Sequence, residues 1–276
     1  MALIPLKDDT KIKDISFQYV TVSIIFACTS VFLWQLSLGD QEYKFVLGLG
    51  TIPSVLTGSK DLHPDLVIIP AWATTLTSLF LHGGWMHLIF NMLFLWVFGD
   101  NIEDSMGHVR FIIFYLLCGA IATTIYVLMS IDSEIPLVGA SGAISGILGA
   151  YLVLHPKARL LVLFMHIIPL RLPAIVVLIG WIGFQFLSLG SESNTAWWAH
   201  IGGFFAGMFL IAPFRRKEVP LLDGLHTGRQ MDTNAIKLQE KQHSRSIFPN
   251  TVQIPPAAKP GISPTRSFQP RGPWVK

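Results

Sequence analysis

Ser141 and His200 are the two residues whose types and settings could do chemistry in an otherwise hydrocarbon-like sequence. Ser141 stands in Gly139-Ala140-Ser141-Gly142-Ala143-Ile144-Ser145-Gly146 and His200 in Ala199-His200-Ile201-Gly202-Gly203, each opening its own apolar stretch. Polar residues in such stretches are costly and mark function by default. A hydroxyl and an imidazole are the minimal pair for nucleophilic catalysis, because the imidazole takes the hydroxyl proton as attack begins and returns it to the leaving group. A second pair, His87 and Asn91, lies four residues apart within His82-Gly83-Gly84-Trp85-Met86-His87-Leu88-Ile89-Phe90-Asn91, and so on one helical face. Both can donate hydrogen bonds to an oxyanion formed when the serine attacks a carbonyl, a contribution of about 3 kcal/mol to the barrier for each donor.

Other chemistries fit poorly. His82 and His87 are five apart and no His-Glu-x-x-His pattern exists, which argues against a zinc metalloprotease. Ala143 occupies the last position of what would be a Gly-x-Ser-x-Gly elbow. The glycine-rich run lacks the Lys-Ser or Lys-Thr of a phosphate loop. Cys28 and Cys118 lie in apolar runs without metal-ligand or paired spacing. No metal, cofactor or nucleic-acid partner is therefore expected, and His82 and His166 read as interfacial.

The elements that must position these residues read as membrane helices. Hydrophobic residues make up 51% of the chain and charged ones 13%, about half of the ~25% usual in soluble domains. Membrane-length stretches cover 17–38, 83–98, 109–129, 141–154, 172–189 and 196–214, which predicts an all-α, six-helix polytopic membrane protein. Segment 39–81, with Pro53, Pro64, Pro70, Trp72 and Phe80, reads as a long interfacial or re-entrant loop between helices 1 and 2. Segment 160–170, interrupted by His166 and Pro169, is half a span and reads as a loop on or dipping into the membrane. The chain thus divides into an amino-terminal segment, 1–16, a membrane domain, 17–214, and a Pro-rich basic tail, 215–276, expected to be disordered.

Charge placement sets an orientation. With the amino terminus inside, Lys7, Lys11, Lys13, Arg110, Lys157, Arg159, Arg171 and the basic tail fall on the cytoplasmic side, leaving Lys44 and Lys60 outside. His87, Ser141 and His200 then sit near the outer ends of three helices that run the same way, at similar depth. Glycines supply the close approach: Gly142, Gly146 and Gly149 recur at helical spacing beside Ser141, and Gly203 and Gly207 share a face with His200. The short fourth stretch implies a helix enclosed by its neighbours with its outer end sunk below the surface, where water can enter.

These motifs together resemble the rhomboid family of intramembrane serine proteases, in its bacterial form. The resemblance rests on the glycine-flanked Ser141, on Ala199-His200 with Gly203 and Gly207, on the His87 and Asn91 pair, and on Phe98-Gly99-Asp100-Asn101-Ile102-Glu103-Asp104 followed by Gly107, which resembles the segment after the second helix of bacterial members. It implies a six-helix bundle, a Ser141–His200 dyad without an acidic third member, and an oxyanion site of His87, Asn91 and the Ser141 backbone amide. It further implies an endopeptidase that cleaves transmembrane segments of single-span membrane proteins near the outer face of the bilayer; the alternative is a non-proteolytic relative that binds such segments. No Asp or Glu lies inside the six stretches, so imidazole orientation is expected from packing. The resemblance also leads one to expect an aromatic ring four residues after the serine, where this chain has Ser145. The lack of an Arg-rich, Ser-rich presequence favours a bacterial cytoplasmic membrane.

Overall fold

The computed structural model describes residues 3–165, 167–191 and 195–222. His166 and all of the tail beyond Leu222 lie outside the described residues. Helix α1, Tyr19–Ser37, is followed by three short helices, α2 Glu42–Leu49, α3 Pro53–Leu56 and α4 Thr74–Thr77, joined by 3-10 turns. Five longer helices follow: α5 Trp85–Met106, α6 His108–Met129, α7 Ser141–Leu154, α8 Ala174–Leu187 and α9 Trp197–Phe214. Helices α1, α6 and α9 are long and apolar enough to cross a membrane, while α7 and α8 are shorter apolar helices of 14 residues, about 21 Å long.

Helix α7 lies at the centre, in contact with α5, α6, α8 and α9. Within it only Ser141 and Val153 escape full burial. Glycines set its distance from α9: a Cβ at Gly203 would land on the Gly142 carbonyl oxygen, and one at Gly207 on the Gly146 carbonyl oxygen. The two backbones therefore touch, a packing open only to residues without side chains.

Two expectations are corrected. The polar run after Phe98 does not leave the second long helix; it forms the last turns of α5, which continues to Met106. Its carboxylates stay helical because the chain before α1 brings them donors. Asp104 accepts the backbone N–H groups of Lys13, Asp14 and Ile15 at 2.7–2.9 Å. Glu103, fully buried, accepts the N–H groups of Val20 and Thr21 and the Thr21 hydroxyl, and so caps the start of α1. Gly107, at φ +83°, then turns the chain into α6.

The second correction concerns segment 160–170, which is not a loop but the greater part of a β-hairpin. Strands β2, Arg159–Phe164, and β3, Ile168–Pro173, pair antiparallel, and β1, Leu3–Asp8, joins the other edge of β2 to give the order β1-β2-β3. The fold is thus mostly rather than wholly helical. Leu160 and Val162, alternate residues of β2, are fully buried in the helical core, which is why the strand lies flat against it. At the end of β1, Asp8 accepts hydrogen bonds from the Tyr151 hydroxyl of α7 and the Asn101 amide of α5, both at 2.7 Å.

Candidate active site

Ser141 is the first residue of α7, where a helix leaves its opening N–H groups without intrahelical acceptors. The strap before it is held by Gly139, whose N–H donates to the Ser78 carbonyl at 2.8 Å and whose φ of +117° suits glycine. His200 sits in the first turn of α9, and its Nε2 lies at hydrogen-bond distance, 2.9 Å, from the Ser141 hydroxyl. The glycine contact between α7 and α9 is what brings the two side chains within reach of each other.

His87 and Asn91 project from α5 into the same cavity of about 750 Å³ that holds Ser141 and His200. A Cβ at Gly139 would lie 2.6 Å from His87 Nε2 and 3.6 Å from Asn91 Nδ2, so both side chains press against the strap that delivers Ser141. The Gly83 N–H donates to His87 Nδ1 at 3.4 Å, which leaves Nε2 to carry the ring proton. Asn91 is 7% exposed, and its Nδ2 is buried with no partner among the described residues. An unpartnered buried donor costs about 1–3 kcal/mol, an expense that a group arriving in the cavity can relieve.

The sequence reading missed a residue. Gln185 of α8 is 2% exposed, and its Oε1 lies 2.8 Å from His200 Nδ1. Imidazole orientation therefore does not come from packing alone, as expected, but also from a hydrogen bond. The signal of Gln185 in the sequence is an amide inside an otherwise apolar run, which carries none of the charge that marks a carboxylate partner. At the position where an aromatic ring was expected, Ser145 donates to the Ser141 carbonyl at 2.7 Å. The rings beside His200 come from elsewhere: Trp181 of α8, with centroids 6.0 Å apart and planes 36° apart, and Trp197 of α9, edge-on at 6.1 Å. His82, expected at an interface, is fully buried, its backbone clasped by the Gln35 side chain and its Nδ1 donating to the Phe80 carbonyl.

Comparison with known proteins agrees with this architecture. The Rhomboid domain family model matches residues 70–217, a stretch that holds His87, Asn91, Ser141 and His200. Rhomboid protease GluP of Bacillus subtilis (strain 168) is 38% identical over 161 residues, covering 57% of this chain and 29% of that protein. RHOMBOID-like protein 5 of Arabidopsis thaliana is 34% identical over 143 residues, 49% of this chain and 41% of its own length. Presenilin-associated rhomboid-like protein A, mitochondrial, of Danio rerio is 30% identical over 170 residues, 56% and 42% respectively. The chain spans less than half the length of each of these relatives. Because the family model covers more than half of its residues, the chain belongs to the rhomboid family, and with its apolar helices it is a multi-pass membrane protein.

Proposed function

We propose that this protein is an intramembrane serine endopeptidase that cuts single-span membrane proteins within or beside their transmembrane helix. The observation that carries the reading is the 2.9 Å hydrogen bond from the Ser141 hydroxyl to His200 Nε2, made inside a cavity large enough for a short stretch of peptide. In this mechanism the Ser141 oxygen attacks the scissile carbonyl as its proton passes to His200. The oxyanion is met by His87 Nε2–H, by the orphaned Asn91 Nδ2–H, and by the Ser141 backbone N–H. His200 then hands its proton to the leaving amine, and the acyl-enzyme remains. Water enters, gives its proton to His200, and cleaves the ester, regenerating Ser141.

The same proposal has six helices, α1 and α5 to α9, crossing the bilayer, with the residues between α1 and α5 lying at its outer interface. Basic residues of β1 to β3, Lys7, Arg159 and Arg171, then face the cytoplasm together with the segment after α9. Similarity to a bacterial relative supports a bacterial cytoplasmic membrane. Substrates with glycine, proline or small polar residues near the cut fit best, since a regular helix shields its own peptide bonds.

Expression in a bacterium beside a single-span test substrate checks the whole reading. The wild type should release the outer fragment into the medium, and Ser141→Ala and His200→Ala should each lower release by about 10³-fold or more. Turnover that survives either substitution sinks the activity, and release on the cytoplasmic side sinks the orientation.

A further inference from the structure

We propose that Gln185 is a positioning residue that selects the tautomer of His200, making a neutral Ser141–His200–Gln185 relay; this deepens the serine endopeptidase reading and rests on it. A buried amide must find partners for both its ends, and those of Gln185 are fixed in direction. Its Nε2–H donates to the Trp181 carbonyl at 3.3 Å, one turn earlier on α8, which leaves Oε1 facing His200 Nδ1 at 2.8 Å. Turning the amide over would set oxygen against the Trp181 carbonyl. An amide oxygen can only accept, so the imidazole proton resides on Nδ1 and the Nε2 lone pair is aimed at the Ser141 hydroxyl. In the other tautomer Nε2 carries a proton and cannot serve as the base.

The relay moves a single proton. On attack, the Ser141 proton goes to Nε2, and the imidazolium that results keeps its Nδ1–H on Gln185 Oε1; no proton reaches the amide. A carboxylate in this place would attract that cation far more strongly, so the amide directs the ring while leaving it readily neutral. Trp181 serves the arrangement twice, through its ring beside His200 and its carbonyl beneath Gln185. The groups facing His200 are Ser141 from α7, Gln185 and Trp181 from α8, Trp197 from its own helix, and His87 from α5; among the described residues only His87 adds a titrating charge.

The test uses the full-length protein in micelles with a fluorogenic single-span substrate, measuring kcat and KM across pH for Gln185→Met and Gln185→Glu, with Ser141→Ala alongside. Gln185→Met keeps the length but removes the acceptor, and kcat should fall about 10- to 100-fold at unchanged KM. Gln185→Glu should retain turnover at alkaline pH, but its carboxylate holds the imidazole protonated, so the acid limb of kcat/KM should move up by about one pH unit or more. A well-folded Gln185→Met with wild-type kcat overturns the proposal, as does a folded Gln185→Glu with an unmoved acid limb. If Gln185→Met does not fold, the Gln185→Glu profile decides alone. Activity persisting in Ser141→Ala would instead bring down the endopeptidase reading and the relay with it.

Discussion

The two ends of helix α5 treat buried polar side chains in opposite ways. At its carboxyl end Asn101, Glu103 and Asp104 are all buried and all matched: Glu103 accepts from two backbone N–H groups, the Thr21 hydroxyl and His108 Nδ1. At its amino end Asn91 is buried too, yet its Nδ2 has no partner among the described residues. Saturated groups make a joint, here the one that fastens the chain before α1 to the bundle. An unsaturated donor does nothing for the resting fold, so its retention beside Ser141 is best understood through what enters the cavity.

This contrast can be broken by substitution. Glu103→Ala leaves four donors without their acceptor and should lower stability by about 3 kcal/mol, read as unfolding in mixed micelles, while turnover per folded molecule stays at the wild-type level. Asn91→Ala should do the reverse, lowering kcat by about 10-fold or more with a midpoint of unfolding no lower than that of the wild type; a loss of rate smaller than for Ser141→Ala is expected because other oxyanion donors remain. A stability loss at Asn91, or a rate loss at Glu103 in fully folded protein, would erase the distinction.

The smallest effect belongs to Asp8, which meets the carboxyl end of α5 through Asn101. Burial raises its carboxyl above the usual 3.8, against the opposing hydrogen bonds from Tyr151 and Thr10. The folded state therefore holds a proton that the unfolded chain releases, and stability falls as pH rises from 3.8 through the raised value. Asp8→Asn cannot ionise and should match the wild type below that window and exceed it above, a difference measured as thermal midpoint against pH. A wild-type midpoint that gains on that of Asp8→Asn across this window would contradict the assigned sign.

Much of this was legible because apolar length is a strong signal. The stretch 141–154 corresponds to α7 as found, and 109–129 and 196–214 differ from α6 and α9 by a residue at one end. The extension of α5 was hidden because hydropathy reads Asp100 to Asp104 as the end of a helix, whereas the charges of Glu103 and Asp104 are taken up by backbone donors distant in sequence. The sheet was hidden for a related reason: β2 is a short apolar run that pairs on one side with β1, far away in the chain, and Pro169 and Pro173 are tolerated because β3 is an edge. Within the cavity, Ser141, His200, His87 and Asn91 stood out as polar residues in apolar surroundings. Gln185 did not, since its importance lies in the direction of one amide oxygen, which spacing does not encode.

The pairing of β1 with β2 also orders events in time. β1 precedes β2 by the whole of α1 to α7, so it can find its neighbour only after those helices have been made, and closing so long a loop is entropically slow. Until then Asp8 has Asn101 to hold but no sheet to join. β1 is thus a late clasp, drawn shut over helices already made.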